Sequence, residues 1–106
     1  MDNNFSNFEL FKPNVSDIKQ MQELVSAEVE NGNILSRDQN EMATTIRSYL
    51  AVKDLTTSKI IGFVALHIHT ITLAEIRSLI VSKEYRGKGI AKKLIEHCIK
   101  EAKDIT

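Results

Sequence analysis

The segment Ile60-Ile61-Gly62-Phe63-Val64-Ala65-Leu66 contains no polar side chain. It has the length of a strand rather than a helix, and it is rich in β-branched and aromatic residues. Alternate side chains of a strand point to opposite faces, so both faces of this one are apolar and both need cover. Such a strand belongs inside a sheet, with helices packed on either side. A chain of 106 residues has room for one domain built this way, and residues 1–106 read as a single domain.

The flanking pattern supplies the neighbours. Phe8-Glu9-Leu10-Phe11-Lys12 alternates and stops at Pro13, which predicts a first strand. Ser16 is the expected N-cap of a helix with Ile18, Met21, Leu24, Val25 and Val29 on one face, ended by Asn31-Gly32. Ser36 and Gln39 form a capping box for a second helix, with Met42, Ala43, Ile46 and Leu50 as its apolar positions. Tyr49 to Lys53 and Lys59 to Ile68 predict two strands around a polar turn over 54–58. Thr70 to Thr72 predicts a turn into a further strand, Ala74 to Val81. After a loop from Ser82 to Arg86, an amphipathic helix is expected to bury Ile90, Ala91, Leu94, Ile95, Cys98, Ile99 and Ala102. The order β-α-α-β-β-β-α implies a mixed α+β (α/β) domain, with a mostly antiparallel sheet and flanking helices.

Charge narrows the partners. Lys plus Arg is 14 and Asp plus Glu is 14, which excludes a bulk electrostatic binder of nucleic acid. The longest uncharged run, Ile60 to Ala74, is too short and too polar to cross a bilayer, so no membrane partner is expected. Met1-Asp2-Asn3-Asn4 shows no basic region ahead of an apolar one, and the lone Cys98 allows no internal disulfide. Both point to a cytoplasmic location. The balance is nevertheless uneven: residues 1–74 carry 6 basic and 9 acidic side chains, and residues 75–106 carry 8 and 5. Lys83, Arg86, Lys88, Lys92 and Lys93 face Glu84 alone in one short stretch. That patch suits a small anionic ligand, or else it is a solvated helix start.

Within it, Val81-Ser-Lys-Glu-Tyr-Arg86-Gly87-Lys88-Gly89-Ile90-Ala91 joins an apolar strand to a helix through a glycine loop. Glycines allow backbone N–H groups to approach a ligand, and a helix N-terminus adds unpaired donors and partial positive charge. Together they can seat a phosphate; the other reading is a tight structural loop. A P-loop is absent, because no Gly-x-x-x-x-Gly-Lys-Ser/Thr occurs. A dinucleotide fingerprint fails as well, since Lys92 stands where its third glycine would be.

Arg86-Gly87-Lys88-Gly89-Ile90-Ala91 does match the pattern Gln/Arg-x-x-Gly-x-Gly/Ala at each fixed position. The chain thereby resembles the GNAT superfamily of N-acetyltransferases, and the order of elements resembles that family's first four strands and three helices. The stretch Glu75-Ile76-Arg77-Ser78-Leu79 looks most like the amino-acid acetyltransferase branch, which includes N-acetylglutamate synthases. The resemblance implies acetyl-CoA as acetyl donor and a small amine or amino acid as acceptor. It implies pyrophosphate on the amides of Arg86, Gly87, Lys88, Gly89, Ile90 and Ala91. It also implies a bulged strand whose backbone near Leu79, Ile80 and Val81 binds the pantetheine arm. Family members continue with further strands and a fourth helix, so the expected fold stops after the third helix of the family domain. A truncated or non-catalytic acetyl-CoA-binding module is the alternative function.

For the amine's proton, the resemblance points to Glu75 as general base; the other reading is a solvated glutamate paired with Arg77. Arg77 either holds a substrate carboxylate or forms that pair. His67 and His69 share a strand face, as a substrate-side relay or as partly buried and satisfied groups. No further ligands at suitable spacing accompany them, so no metal is expected. His97 is read as solvated and Cys98 as core packing. Neither Tyr49 nor Tyr85 matches the family's thiolate-protonating tyrosine. An uncovered apolar strand at 74–81 is expected to self-associate, as a homodimer.

Overall fold

The computed structural model describes residues 7–28, 39–70 and 72–105. In it β1 is Phe8–Phe11, α1 is Ile18–Glu28, α2 is Gln39–Thr44 and β2 is Tyr49–Asp54. β3 is Lys59–Thr70, β4 is Leu73–Val81 and α3 is Ile90–Ile105. The expected element order is present. The strands form one sheet in the order β1-β2-β3-β4, and every neighbouring pair is antiparallel.

β3 is the inner strand that the apolar run demands: Ile60 to Leu66 are all buried. On one face, Ile18, Met21 and Leu24 of α1 and Met42 of α2 pack with Tyr49, Ala51, Phe63 and Ala65. On the other, Ile90, Leu94 and Cys98 of α3 pack with Leu50, Val52, Val64 and Leu66. Where β2 pairs with β3, Val52 faces Gly62 and Lys53 faces Ile60, which leaves Ile61 as a bulge. Gly62 then lies close under α3, and a Cβ there would sit 3.1 Å from the Ile80 carbonyl oxygen and 3.6 Å from Ile90. That close approach sets the start of α3 against the ends of β3 and β4.

Four expectations are corrected. Asn14, not Ser16, caps the first helical segment. Its side chain accepts the Ser16 N–H, and Asp17 accepts the Asn14 N–H in return. This reciprocal box opens a 3₁₀ turn, Val15–Asp17, that runs into α1. Leu50 belongs to β2 rather than to the second helix. The Thr44 and Thr45 hydroxyls both bond the Glu41 carbonyl, and that competition ends α2 in a 3₁₀ turn, Ile46–Ser48. Ile99 is 46% exposed, because the buried stripe of α3 follows Ile90, Leu94 and Cys98 and leaves Ile99 at its margin. Finally, β1 ends at Phe11, one residue early, while β3 and β4 extend until Thr70 pairs with Leu73. Val29, the Asn31-Gly32 stop and the Ser36 cap lie outside the described residues.

Candidate functional site

β4 leads through a 3₁₀ turn, Lys83–Tyr85, into Arg86-Gly87-Lys88-Gly89, and α3 begins at Ile90. Gly87 and Gly89 have φ of +82° and +81°, a region that strains any L side chain. A Cβ on either would meet no atom within 4 Å. Glycine is thus required by the backbone, and the space above both residues is open. The Lys93 N–H donates to the Gly89 carbonyl at 3.1 Å. The N–H groups of Ile90, Ala91 and Lys92 therefore precede the ladder of α3, where they add to the positive end of its dipole. They border a hollow of 280 Å³ lined by Val81, Tyr85, Arg86, Gly87, Gly89 and Lys92, among others. The Arg86 side chain turns back, and its Nε donates to the Val81 carbonyl at 3.3 Å across the base of the loop.

Immediately before this loop, β4 is bulged. Phe63 pairs with Ile80 and Ala65 pairs with Arg77, so Ser78 and Leu79 together oppose Val64. Ser78 has φ +57°, unusual for a residue other than glycine or asparagine. The bulge thus falls just ahead of Ile80 and Val81. β4 has one neighbour, β3, and no strand among the described residues pairs with its other edge. Alternate N–H and C=O groups on that edge face outward. The edge and the glycine loop are continuous along the chain, and Val81 lines the hollow together with Arg86, Gly87, Gly89, Ile90 and Ala91.

A part-buried pair unforeseen in the sequence supports the loop. Tyr85 donates through its hydroxyl to Asp54 Oδ2 at 2.7 Å, and Asp54 Oδ1 accepts the Thr56 N–H at 2.8 Å. The Tyr85 ring meets Phe8 edge-on at 6.0 Å. The hydrogen bonds from Tyr85 and Thr56 hold the Asp54 carboxyl below the usual carboxylate range. The same bond, helped by burial, pushes the Tyr85 phenol up. The available signal was Asp54 ahead of Thr56-Thr57-Ser58, which favours an Asx turn; nothing local tied it to Tyr85.

Glu75 and Arg77 stand further back on β4. Arg77 pairs with Ala65 and Glu75 with His67, so both project on the α1 side of the sheet, the side Ala65 shares with the first core cluster. His69 Nε2 lies 2.9 Å from Glu75 Oε1, and Arg77 Nε lies 3.8 Å from Glu75 Oε2. The rings of His67 and His69 stack at 6.5 Å between centroids. The hydrogen bond from His69, followed by the charge of Arg77, holds the Glu75 carboxyl below its usual range despite partial desolvation. In the sequence the histidines and Glu75 stand apart; the hairpin register brings them together. Elsewhere His97 is exposed, Tyr49 is buried under Phe63, and Cys98 is buried with its thiol pushed up by that burial.

An edge strand with a bulge thus runs into a left-handed glycine pair at a helix N-terminus. Residues 15–105 match the model of the acetyltransferase (GNAT) family. The chain belongs to the GNAT acetyltransferase family. An uncharacterised N-acetyltransferase of Chlorobaculum tepidum is 33% identical over 82 residues, which cover 77% of this GNAT chain and 52% of that protein. The chain thus spans about half the length of this curated relative. Among solved structures, a Mycobacterium tuberculosis protein in complex with CoA superimposes with a TM-score of 0.81 at 20% identity, covering 92% of this chain and 58% of that one. N-acetylglutamate synthase from Neisseria gonorrhoeae, complexed with coenzyme A and N-acetyl-glutamate, gives 0.82 at 22% identity over 92% of this chain and 23% of that one. The PaiA N-acetyltransferase of Thermoplasma acidophilum, in complex with coenzyme A, gives 0.76 at 24% identity over 92% and 72%. These likenesses establish the GNAT fold.

Proposed function

We propose that the protein is an N-acetyltransferase that moves an acetyl group from acetyl-CoA to the amine of a small molecule or amino acid. The observation that carries this reading is the open pair of left-handed glycines, Gly87 and Gly89, at the start of α3. The backbone N–H groups from Gly87 to Lys92 suit a pyrophosphate, with Lys88 and Lys92 adding charge. The bulged edge at Leu79, Ile80 and Val81 offers outward backbone groups to a pantetheine arm. Acetyl-CoA supplies the acetyl group as an activated thioester. On the α1 side of the same strand, Glu75 serves removal of the amine proton. Arg77 meets an acceptor carboxylate through its guanidinium. The likeness in fold to N-acetylglutamate synthase makes glutamate the first acceptor to try.

A second reading is an acetyl-CoA-binding module without turnover. It is favoured by the fate of the chain's two tyrosines. Tyr49 is buried, and the Tyr85 hydroxyl donates to Asp54, so neither offers a proton to a leaving thiolate. The exposed apolar residues of β4 also support pairing with a second copy of the chain.

Isothermal titration with acetyl-CoA tests the donor site. Gly89→Val should weaken binding about tenfold or more, since a side chain at this φ costs roughly 1–2 kcal/mol. Equal affinity in the variant removes the reading. Thiol release over an amine panel that includes L-glutamate then separates the enzyme from the binding module.

A further inference from the structure

The polar groups on the α1 side of the β3–β4 hairpin form a chain of contacts: Arg77 to Glu75 at 3.8 Å, Glu75 to His69 at 2.9 Å, and the His69 ring stacked on His67. Register builds this chain. Thr70 pairs with Leu73 and Ile68 with Ala74, so His69 is the extra residue of a bulge and its ring reaches the Glu75 carboxylate. The surroundings matter to proton transfer. An imidazole titrates near neutral pH, whereas a carboxylate in contact with a histidine and a guanidinium is a weak acceptor there. We propose that His69 is the catalytic base of acetyl transfer and that Glu75 is its positioning residue. This rests on the acetyltransferase reading above and divides the labour within it.

The ring nitrogen that faces a carboxylate carries the proton, so Nε2–H points at Glu75 and Nδ1 keeps a lone pair. The substrate ammonium gives one N–H proton to Nδ1. The freed nitrogen lone pair bonds the acyl carbon of the thioester, and the C–S electron pair leaves on sulfur. A second proton from the nitrogen balances that sulfur as a thiol. His69 then returns its proton to water. The charged and titratable groups around His69 are Glu75 and Arg77 on β4 and His67 on its own strand.

The test uses the full chain and the variants His69→Gln and Glu75→Gln, with acetyl-CoA and the amine panel. Three readouts are taken: acetyl-CoA affinity by calorimetry, thiol release against pH, and the ring titration of His69 by NMR. His69→Gln should lower kcat about 10²-fold or more, leave acetyl-CoA affinity unchanged and remove the acid limb of the profile. Glu75→Gln should lower kcat less and shift that limb, with the His69 ring titration, to lower pH. The inference is overturned if His69→Gln turns over at the wild-type rate, if Glu75→Gln leaves the His69 titration unmoved, or if a wild-type chain that binds acetyl-CoA acetylates no amine. Failure of acetyl-CoA to bind the wild type overturns the parent reading instead. The NMR titration judges the His69–Glu75 pair in either case.

Discussion

β3 and β4 lie side by side in one sheet, and both are largely apolar in sequence, yet they are covered very differently. From Ile60 to Leu66, β3 is sealed between α1 and α2 on one face and α3 on the other. On β4, Leu73, Ile76 and Leu79 remain 55%, 37% and 39% exposed. β3 has a strand on each side, whereas among the described residues β4 pairs only with β3. Apolar composition therefore marks both segments as strands, but burial follows from neighbours. The less covered strand also carries the bulge at Ser78 and Leu79, the left-handed Ser78, and Glu75 and Arg77 of the charged cluster. On the proposed reading, groups that meet a ligand sit where packing does not claim them.

The largest expected effect tests that contrast directly. Phe63→Ala should cost about 3–5 kcal/mol of stability, as for other buried aromatic truncations. Ile76→Ala should cost about 1 kcal/mol or less. Chemical denaturation of both variants checks this, and equal losses would mean that β4 is as well covered as β3.

Next comes the bulge. Ser78→Val places a branched side chain at positive φ and should cost about 1–2 kcal/mol. Ser78→Gly should stay within about 0.5 kcal/mol of wild type. Equal stability of the two would remove the strain from the description of β4.

Tyr85→Phe should have a smaller effect that depends on pH. Asp54 has a depressed folded pKa, so the stability it lends is full above the ordinary carboxylate value and fades as pH falls through the depressed one. Tyr85 has a raised folded pKa, so its share is full below the ordinary phenol value and fades as pH rises through the raised one. The variant should therefore melt a few degrees lower at neutral pH and converge with wild type in strong acid. A constant difference at every pH would mean that the Tyr85 hydroxyl contributes independently of the Asp54 charge. The mildest expected effect is on association: Ile76→Lys should weaken any self-pairing across β4 without changing the melting temperature much, as read by sedimentation at micromolar concentration.

The parts of this fold that were legible had a period and punctuation. The run Ile60 to Leu66, the alternation Phe8 to Lys12 and the four-residue spacing of Ile90, Leu94 and Cys98 each point to one element. Leu50 was ambiguous because it lies four residues after Ile46 and also within Tyr49 to Lys53, so it satisfies helix and strand patterns alike. The glycine loop was legible because left-handed backbone leaves glycine as its mark. Ser78 carries no such mark, so its position in the bulge had to come from the register. Pairings distant in sequence were hidden for the same reason: Asp54 to Tyr85 spans 31 positions, and Glu75 reaches His69 only through a bulge in the hairpin.

The central claim is that acetyl-CoA lies along the uncovered strand and the loop that follows it. Amide hydrogen exchange with and without saturating acetyl-CoA measures this residue by residue. The expected result is new protection at Leu79 to Val81 and at Gly87 to Lys92, with β2 and the body of β3 unchanged. Saturable binding that leaves both segments unprotected, or protects the α1 side near Lys19 and Lys59 instead, would contradict it.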